Sequence, residues 1–270
     1  MIDAHVHFWD PAALHYPWLA ELPALDRAFG ADDYAAALGG LPVRRVVFVE
    51  ANCLPVEAAA EVARVRELAM VAGVVAFADV AARGSAALDD AARDPIVKGI
   101  RQNIQGQPSG FCLRPSFVDG VREAARRGLV FDLCATHDQL RDVLALVDRC
   151  PDARFVLDHC GKPAIRSRAF DAWARDVAEL AAHDNVSCKL SGLLTEASAE
   201  WTAADLAPYA EHVTACFGAR RLLYGSDWPV LTLAGRYGDW YELTRDLTAS
   251  WTVCDRDAFY GGNAVRVYGL

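Results

Sequence analysis

Two histidines near the start of the chain, His5 and His7 in the segment IDAHVHF, are separated by one residue. Alternate residues of a β-strand point to the same face, so both imidazoles would face one site if this segment is a strand. Imidazole is a metal ligand and a general acid or base near neutral pH. The pair therefore indicates a metal site or a proton-transfer site, unless it lies on an ordinary surface strand.

Polar residues also follow apolar runs farther along the chain. His159 follows the run FVLD, and Asp227 follows LLYGS. The other polar or aromatic residues in such places include Glu50, Lys98, Arg101, Asp132, Lys189, Ser191 and Trp228. A buried polar group costs free energy unless it has a partner, so stability alone does not explain the repeated arrangement. It favours a functional site to which several strands contribute.

The apolar runs predict eight β-strands, several of them continuously apolar as in strands buried on both faces. They span 2–8, 44–51, 71–80, 97–102, 128–135, 153–160, 185–192 and 220–227. Segments with helical periodicity lie between them, and Ser85 and Thr202 occupy suitable N-cap positions. This alternation predicts an α/β fold, a single (β/α)8 TIM barrel domain over 1–270, with the site at the carboxyl ends of the strands. A doubly wound sheet is disfavoured because the sequence contains no GxGxxG or Walker motif.

Composition and charge exclude several functional classes. The formal net charge is −9, and no lysine- and arginine-rich run indicates binding to nucleic acid or anionic membranes. The longest uncharged apolar run, 68–78, is shorter than the roughly 20 residues of a membrane span. Eight separated cysteines without a CxxC pair, and no signal peptide, predict free thiols and a cytoplasmic location.

Several motifs together resemble the amidohydrolase superfamily, and within it the branch of sugar-lactone hydrolases related to fuconolactonases and rhamnonolactonases. The motifs are IDAHVHFWDP, VKGIRQ, FVLDHCGKP, SCKLSGLLTE, LLYGSDWPV and GGNAVRVYGL. They extend from the first predicted strand to the end of the chain. HxH alone would be a weak match, whereas the whole set in this order is a specific one.

The resemblance implies a metal site assembled from strand ends. His5, His7, His159 and Asp227 match superfamily positions that bind one or two divalent ions. The strand-five histidine of the two-metal members is absent, since GLVFDLCA offers Asp132 and Cys134 there. We therefore expect one divalent ion, zinc by the chemistry of its ligands. Metal-free catalysis remains an alternative, because relatives in this branch are thought to work without a metal.

The implied reaction is hydrolysis of a sugar-derived lactone. Asp227 is the candidate general base, with His5, His7 and His159 as further catalytic residues. Arg101, Lys98 and Lys189 are candidate substrate-binding cations, although a salt-bridge network is an equally good interpretation of the two lysines. Trp9 and Trp228 are candidate stacking partners for a sugar ring, with core packing as the alternative for Trp9.

The segment 8–31 is the longest without a predicted element, and we expect this loop to lie over the barrel mouth. The expected ligand is a small sugar lactone or related cyclic ester, and a homo-oligomer is possible. Two other functions stay open. One is a metal-dependent decarboxylase or hydratase acting on an aromatic or dicarboxylate substrate, and the other is a non-enzymatic ligand-binding barrel.

Overall fold

Residues 1–82 and 86–270 are described by the computed structural model of the chain. Every predicted strand occurs within these residues, and each is shorter than predicted. The strands are β1 Ile2–Val6, β2 Arg45–Val49, β3 Val71–Phe77, β4 Val97–Arg101, β5 Val130–Leu133, β6 Phe155–Leu157, β7 Val186–Leu190 and β8 Leu222–Tyr224. The predicted ranges ran too far mainly at the carboxyl ends, where the backbone leaves the sheet and polar side chains begin.

The strands form one parallel sheet in the order of the sequence, β1 to β8. A parallel bridge between Val6 and Trp228 joins the residues that extend beyond β8 to the end of β1. The arrangement is the predicted (β/α)8 TIM barrel. No described helix has the length and apolar content needed to cross a membrane.

Helices cover the outside of the barrel. They are α1 Ala31–Leu38, α2 Ala58–Val65, α3 Ala86–Arg93, α4 Pro115–Arg126, α5 Leu140–Arg149, α6 Asp171–Ala181, α7 Leu193–Glu196, α8 Ala203–Phe217, α9 Tyr237–Leu247, α10 Val253–Asp257 and α11 Asn263–Tyr268. The buried residues of α5, Leu140, Val143, Leu146 and Val147, recur at helical spacing and so form one apolar face. Thr202 precedes α8 and donates its backbone N–H to Asp205 Oδ2 at 3.0 Å. The other predicted N-cap, Ser85, lies outside the described residues.

The barrel interior is apolar at its amino-terminal end. Apolar side chains from the strands fill it: Ala4, Val47, Val75, Val130, Val156 and Leu223. The C-terminal helix α11 closes this end with Val267 and Tyr268, and Leu270 packs against the same cluster. A Cβ at Gly73 would lie 2.7 Å from Leu270 Cδ2, so this strand approaches the chain end too closely for a side chain. The polar side chains that follow the strands lie toward the opposite end.

The join between β1 and β8 is held by a buried carboxylate, Asp3. It accepts hydrogen bonds from the backbone N–H groups of His5 and Ser226, at 3.2 and 2.9 Å. It also accepts from the hydroxyls of Tyr34 and Tyr237, at 3.0 and 2.8 Å. One side chain thus satisfies donors from the first strand, the last strand's extension and two helices.

We predict that Asp3→Ala lowers the free energy of unfolding by about 3 kcal/mol or more, because each buried donor left unpaired costs about 1–3 kcal/mol. Urea unfolding followed by circular dichroism measures the change. Asp119→Ala removes a carboxylate whose side chain is 71% exposed and is the matched control, expected to change stability by less than about 0.5 kcal/mol. A loss below about 1 kcal/mol for Asp3→Ala would contradict the assigned role.

Candidate active site

His5 in β1 and His7 just after it both lie at the carboxyl end of the barrel, as their spacing predicts. Their Nε2 atoms are 3.1 Å apart. His7 Nδ1 lies 2.8 Å from the carbonyl oxygen of Val49 at the end of β2. A carbonyl only accepts hydrogen bonds, so Nδ1 carries the proton and Nε2 of His7 presents its lone pair to the site.

Asp227 lies opposite both histidines. Its Oδ1 is 3.3 Å from His7 Nε2, 3.6 Å from His5 Nε2 and 3.8 Å from His159 Nε2. Its backbone N–H donates to the carbonyl of His5 at 2.9 Å, which ties the carboxylate directly to the first strand. The backbone of Asp227 is left-handed, with φ of 62°, a conformation that costs free energy and concentrates at functional sites.

His159 follows β6 and completes the group. Its Nδ1 lies 2.9 Å from Ser191 Oγ. A Cβ at Gly192 would lie 2.6 Å from the same Nδ1, and Gly192 has a φ of +68°. Only glycine fits at this position, so Ser191 and Gly192 together fix the imidazole from below.

Burial sets the charge states of this group. Burial lowers the pKa of His159 to about 4 and lowers the pKa of His5 well below its usual value. Burial alone would raise the pKa of Asp227, but His159, His7 and His5 outweigh it and bring that pKa below its usual range. At neutral pH the site therefore contains an ionised carboxylate facing the neutral imidazoles of His5 and His159, the states that bind a metal ion or accept a proton.

These residues fit a single metal ion. The ligand atoms of His5, His159 and Asp227 all lie within 4.8 Å of one another. His7 Nε2 is close to two of them, at the distances given above. A tetrahedral zinc with bonds of about 2.0–2.1 Å holds neighbouring ligand atoms roughly 3.3 Å apart, and imidazole and carboxylate are among its usual ligands.

A network of buried charges lies directly beneath His5. Lys189 Nζ is 2.5 Å from Asp132 Oδ2 and 2.9 Å from Asp158 Oδ1. Arg101 donates from Nη1 to Asp158 Oδ2 at 3.1 Å and from Nε to Glu50 Oε1 at 2.6 Å. His5 Nδ1 faces both Asp158 Oδ1, at 3.3 Å, and Lys189 Nζ, at 3.2 Å. The network therefore orients the imidazole from behind, and it explains why Asp132 does not replace the missing strand-five histidine.

Tyr268 of α11 supports this network from the barrel floor. Its hydroxyl lies 2.9 Å from both carboxylate oxygens of Asp132. Burial opposes the charge on Lys189, yet Asp132 and Asp158 raise the pKa of Lys189 above its usual value. The lysine is thus a permanent cation enclosed by carboxylates.

The site opens into a cavity of about 310 Å³. Its polar and aromatic lining residues include His7, Trp9, Trp18, Asn52, Arg101, Asn103, Gln105, Cys134, His159, Lys162 and Asp227. Trp9 and Trp18 come from the 8–31 loop, with ring centroids 5.2 Å apart. The indole of Trp18 donates to the carbonyl of Ala51 at 2.8 Å, which joins the loop to the barrel.

The structure brings together His5, His7, His159 and Asp227, and it places Arg101 and Trp9 at the cavity wall. Three predicted substrate-binding residues do not line the cavity. Lys189 is fully buried and committed to the charge network. Trp228 is 2% exposed and packs against the rings of Phe29 and Tyr34, so it does not line the cavity.

Lys98 is also remote from the cavity. It is the second residue of β4, near the amino-terminal end, and its Cγ would lie 2.8 Å from a Cβ built on Gly73. Motif matching alone does not reveal which end of a strand a residue occupies. Conversely, we did not predict Lys162 or Trp18 as site residues, although Lys162 is only three residues beyond His159 in FVLDHCGKP.

A family model described as Amidohydrolase matches residues 2–270. The chain belongs to the amidohydrolase family. The resemblance inferred from the motifs is therefore confirmed at the family level, and so is the prediction that the protein is an enzyme.

Individual amidohydrolases align with the whole chain. It is 36% identical over 279 residues to L-fucono-1,5-lactonase of Burkholderia ambifaria, covering 100% of this chain and 95% of that protein. It is 32% identical over 285 residues to L-fucono-1,5-lactonase of Burkholderia multivorans, covering 100% of this chain and 96% of that protein. The chain also matches a crystal structure of an amidohydrolase from Burkholderia multivorans with bound Zn, with a TM-score of 0.91 and 33% identity. The match covers 100% of this chain and 99% of that one.

We predict that Lys189→Met lowers the free energy of unfolding by about 3–5 kcal/mol, because it leaves Asp132 and Asp158 buried without their cation. Urea unfolding at neutral pH measures the loss. Lys98→Met is the matched control, since it removes an ammonium that has no part in the network. Equal stability of the two variants would show that the network does not depend on Lys189.

Proposed function

We propose that this amidohydrolase hydrolyses a sugar-derived lactone to the corresponding hydroxy acid. The observation that carries the proposal is the carboxylate of Asp227, which faces the imidazoles of His5, His7 and His159 within 3.8 Å at the inner end of a cavity. The cavity wall combines tryptophan rings with polar side chains, which suits a hydroxylated ring. The names of the two Burkholderia relatives support an aldonolactone, and L-fucono-1,5-lactone is the first candidate.

In the proposed mechanism, Asp227 accepts a proton from the attacking water. The water oxygen bonds to the lactone carbonyl carbon, and the carbonyl oxygen becomes an oxyanion. When this intermediate collapses, the bond between the carbonyl carbon and the ring oxygen breaks. Asp227 then returns the proton to the ring oxygen, which leaves as a hydroxyl group. The other product group is a carboxylic acid, which loses the second water proton to solvent and becomes a carboxylate.

We further propose that His5, His7, His159 and Asp227 hold one divalent ion, with zinc as the first candidate. Such an ion would polarise the carbonyl and acidify the water. The zinc bound to the Burkholderia multivorans relative supports this assignment. In the metal-free alternative, His5, His7 and Arg101 polarise the carbonyl.

Two further proposals concern the setting of the reaction. The 8–31 loop covers the mouth of the barrel and restricts what enters, supported by the positions of Trp9 and Trp18 in the cavity wall. A cytoplasmic location is supported by the eight cysteines, which are all free thiols in the structure. A homo-oligomer stays a prediction.

We predict that the protein turns over at least one member of an aldonolactone panel, with release of acid and without carbon dioxide. A pH-indicator assay measures the acid. Asp227→Asn should lower kcat/KM by about 10²–10⁴-fold, the usual contribution of a general base. Asp119→Asn, at an exposed carboxylate of α4, should match the wild type. If no lactone in a broad panel is hydrolysed, the proposed function is wrong, and carbon dioxide release from an acid would favour the decarboxylase.

We predict that protein purified without added ions contains about one zinc per chain, and that His5→Ala abolishes this stoichiometry. Ser191→Ala frees His159 Nδ1 and should weaken zinc binding by about 10–100-fold, the usual effect of losing an outer-shell partner. Elemental analysis and competition with a chromophoric chelator measure both effects. His183→Ala, far from the site, is the control. Fully active, metal-free protein would support the metal-free alternative.

A further inference from the structure

The chain contains three lysines, at positions 98, 162 and 189. Lys189 is ion-paired within the buried charge network, and Lys98 lies near the barrel floor. Lys162 differs from both because it lines the cavity together with His159 and Asp227. It is the lysine whose ammonium can reach a bound ligand.

The ammonium of Lys162 has few protein partners. Its side chain is only 18% exposed, and among the described residues the carboxylate within 4 Å of Nζ is that of Glu196, with Oε1 at 3.7 Å. That distance is beyond a hydrogen bond, and no residue within 1–82 or 86–270 accepts one from Nζ. An ammonium has three N–H donors, and withdrawing it from water without acceptors costs free energy. The arrangement leaves its donors available to oxygen atoms in the cavity.

The backbone explains how Lys162 reaches this position. Four consecutive residues after β6 are left-handed, with φ of 52° at His159, 56° at Cys160, 70° at Gly161 and 46° at Lys162. The N–H of Lys162 donates to the carbonyl of His159 at 2.8 Å, which closes one turn of three residues. Side chains three residues apart in such a turn lie on the same side. His159 and Lys162 therefore project into the cavity together.

This left-handed turn is costly for residues that carry a Cβ, by roughly 1–2 kcal/mol each. Packing holds it in place: the indole of Trp173 donates to the carbonyl of Cys160 at 2.8 Å. A right-handed continuation of the strand end would not bring residues 159 and 162 to the cavity in this way. Strain of this kind, maintained by surrounding packing, points to a functional requirement.

We propose that Lys162 Nζ binds the lactone carbonyl oxygen and stabilises the negative charge that forms on it during hydrolysis. This inference rests on the proposed function and adds a catalytic residue to it. The ammonium donates a hydrogen bond to the oxyanion and keeps all its protons, so the proton balance through Asp227 is unchanged. After the ring opens, the same ammonium pairs with the product carboxylate.

Lys162 suits this role better than Arg101. Arg101 already donates from Nε and Nη1 to carboxylates and from Nη2 to the carbonyl of Glu50 at 2.7 Å. Its guanidinium is thus fixed by the barrel and its charge is compensated by two buried carboxylates. A cation that has no hydrogen-bonded carboxylate stabilises a new negative charge more effectively in a site sheltered from water.

The first test compares Lys162→Met with wild type on the lactone that wild type hydrolyses. We expect kcat/KM to fall by about 10²–10³-fold, the usual cost of losing one oxyanion donor, with most of the loss in kcat. Binding of the product aldonate, measured by calorimetry, should weaken by about 10–100-fold, because a charge-assisted hydrogen bond is lost. Lys98→Met is the matched control and should keep both constants. Unchanged kcat/KM and aldonate affinity in Lys162→Met would overturn the proposal.

A second measurement uses the unmodified enzyme and does not depend on a variant folding. Reductive methylation with formaldehyde and a borane reagent, followed by peptide mass mapping, reports on each amine separately. The aldonate should slow modification of Lys162 in proportion to its occupancy, without protecting the N-terminal amine. Equal labelling of Lys162 with and without bound aldonate would overturn the proposal.

The two proposals fail in different ways. If wild type hydrolyses no lactone, the proposed function fails and the role of Lys162 fails with it. If wild type hydrolyses a lactone and Lys162→Met does so with the same constants, only the role of Lys162 is overturned.

Discussion

The hydrogen bonds that close the barrel between β1 and β8 are the constraint on which the site depends. The N–H of Asp227 donates to the carbonyl of His5, and the N–H of His7 donates to the carbonyl of Trp228 at 2.8 Å. These bonds complete the sheet, and they also set the separation between the carboxylate and the imidazoles. A shift of one residue in this register would turn both histidines away from the cavity. The same hydrogen bonds therefore close the barrel and set the geometry of the site.

The layers beneath the site explain why its side chains have little freedom. A Cβ at Gly225 would lie 3.0 Å from the Cβ of His5, so glycine lets the last strand approach the first closely. Below that contact, carboxylates and cations alternate from Glu50 through Arg101 and Asp158 to Lys189. Each charge has an opposite neighbour, so the burial cost of one is offset by the next. Imidazoles supported in this way keep their orientation without help from a ligand.

The sequence predicts the barrel well because its strands are short, mostly apolar runs that are buried on both faces and alternate with helical segments, a strong and local signal. The four principal residues of the candidate site are also predictable, since His5, His7, His159 and Asp227 each lie in or near the carboxyl end of a predicted strand. Which partner each polar side chain contacts is not predictable in the same way. Whether a lysine meets substrate or a carboxylate depends on residues from other strands, as Lys189 shows. Lys162 was not predicted as a site residue because its position depends on a left-handed turn. The residues DHCGKP do not by themselves predict four consecutive left-handed residues.

The support of the barrel floor by α11 has a consequence for biosynthesis. Tyr268, near the carboxyl terminus, bonds to Asp132 of β5, while Asp3 of β1 bonds to Ser226 and Tyr237. A chain emerging from the ribosome therefore carries its first strand, with both histidines, long before the residues that complete the site exist. Because the hydrogen bonds that close the barrel join residues 3–7 to residues 226–237, the candidate site can assemble only after almost all the strands have been synthesised.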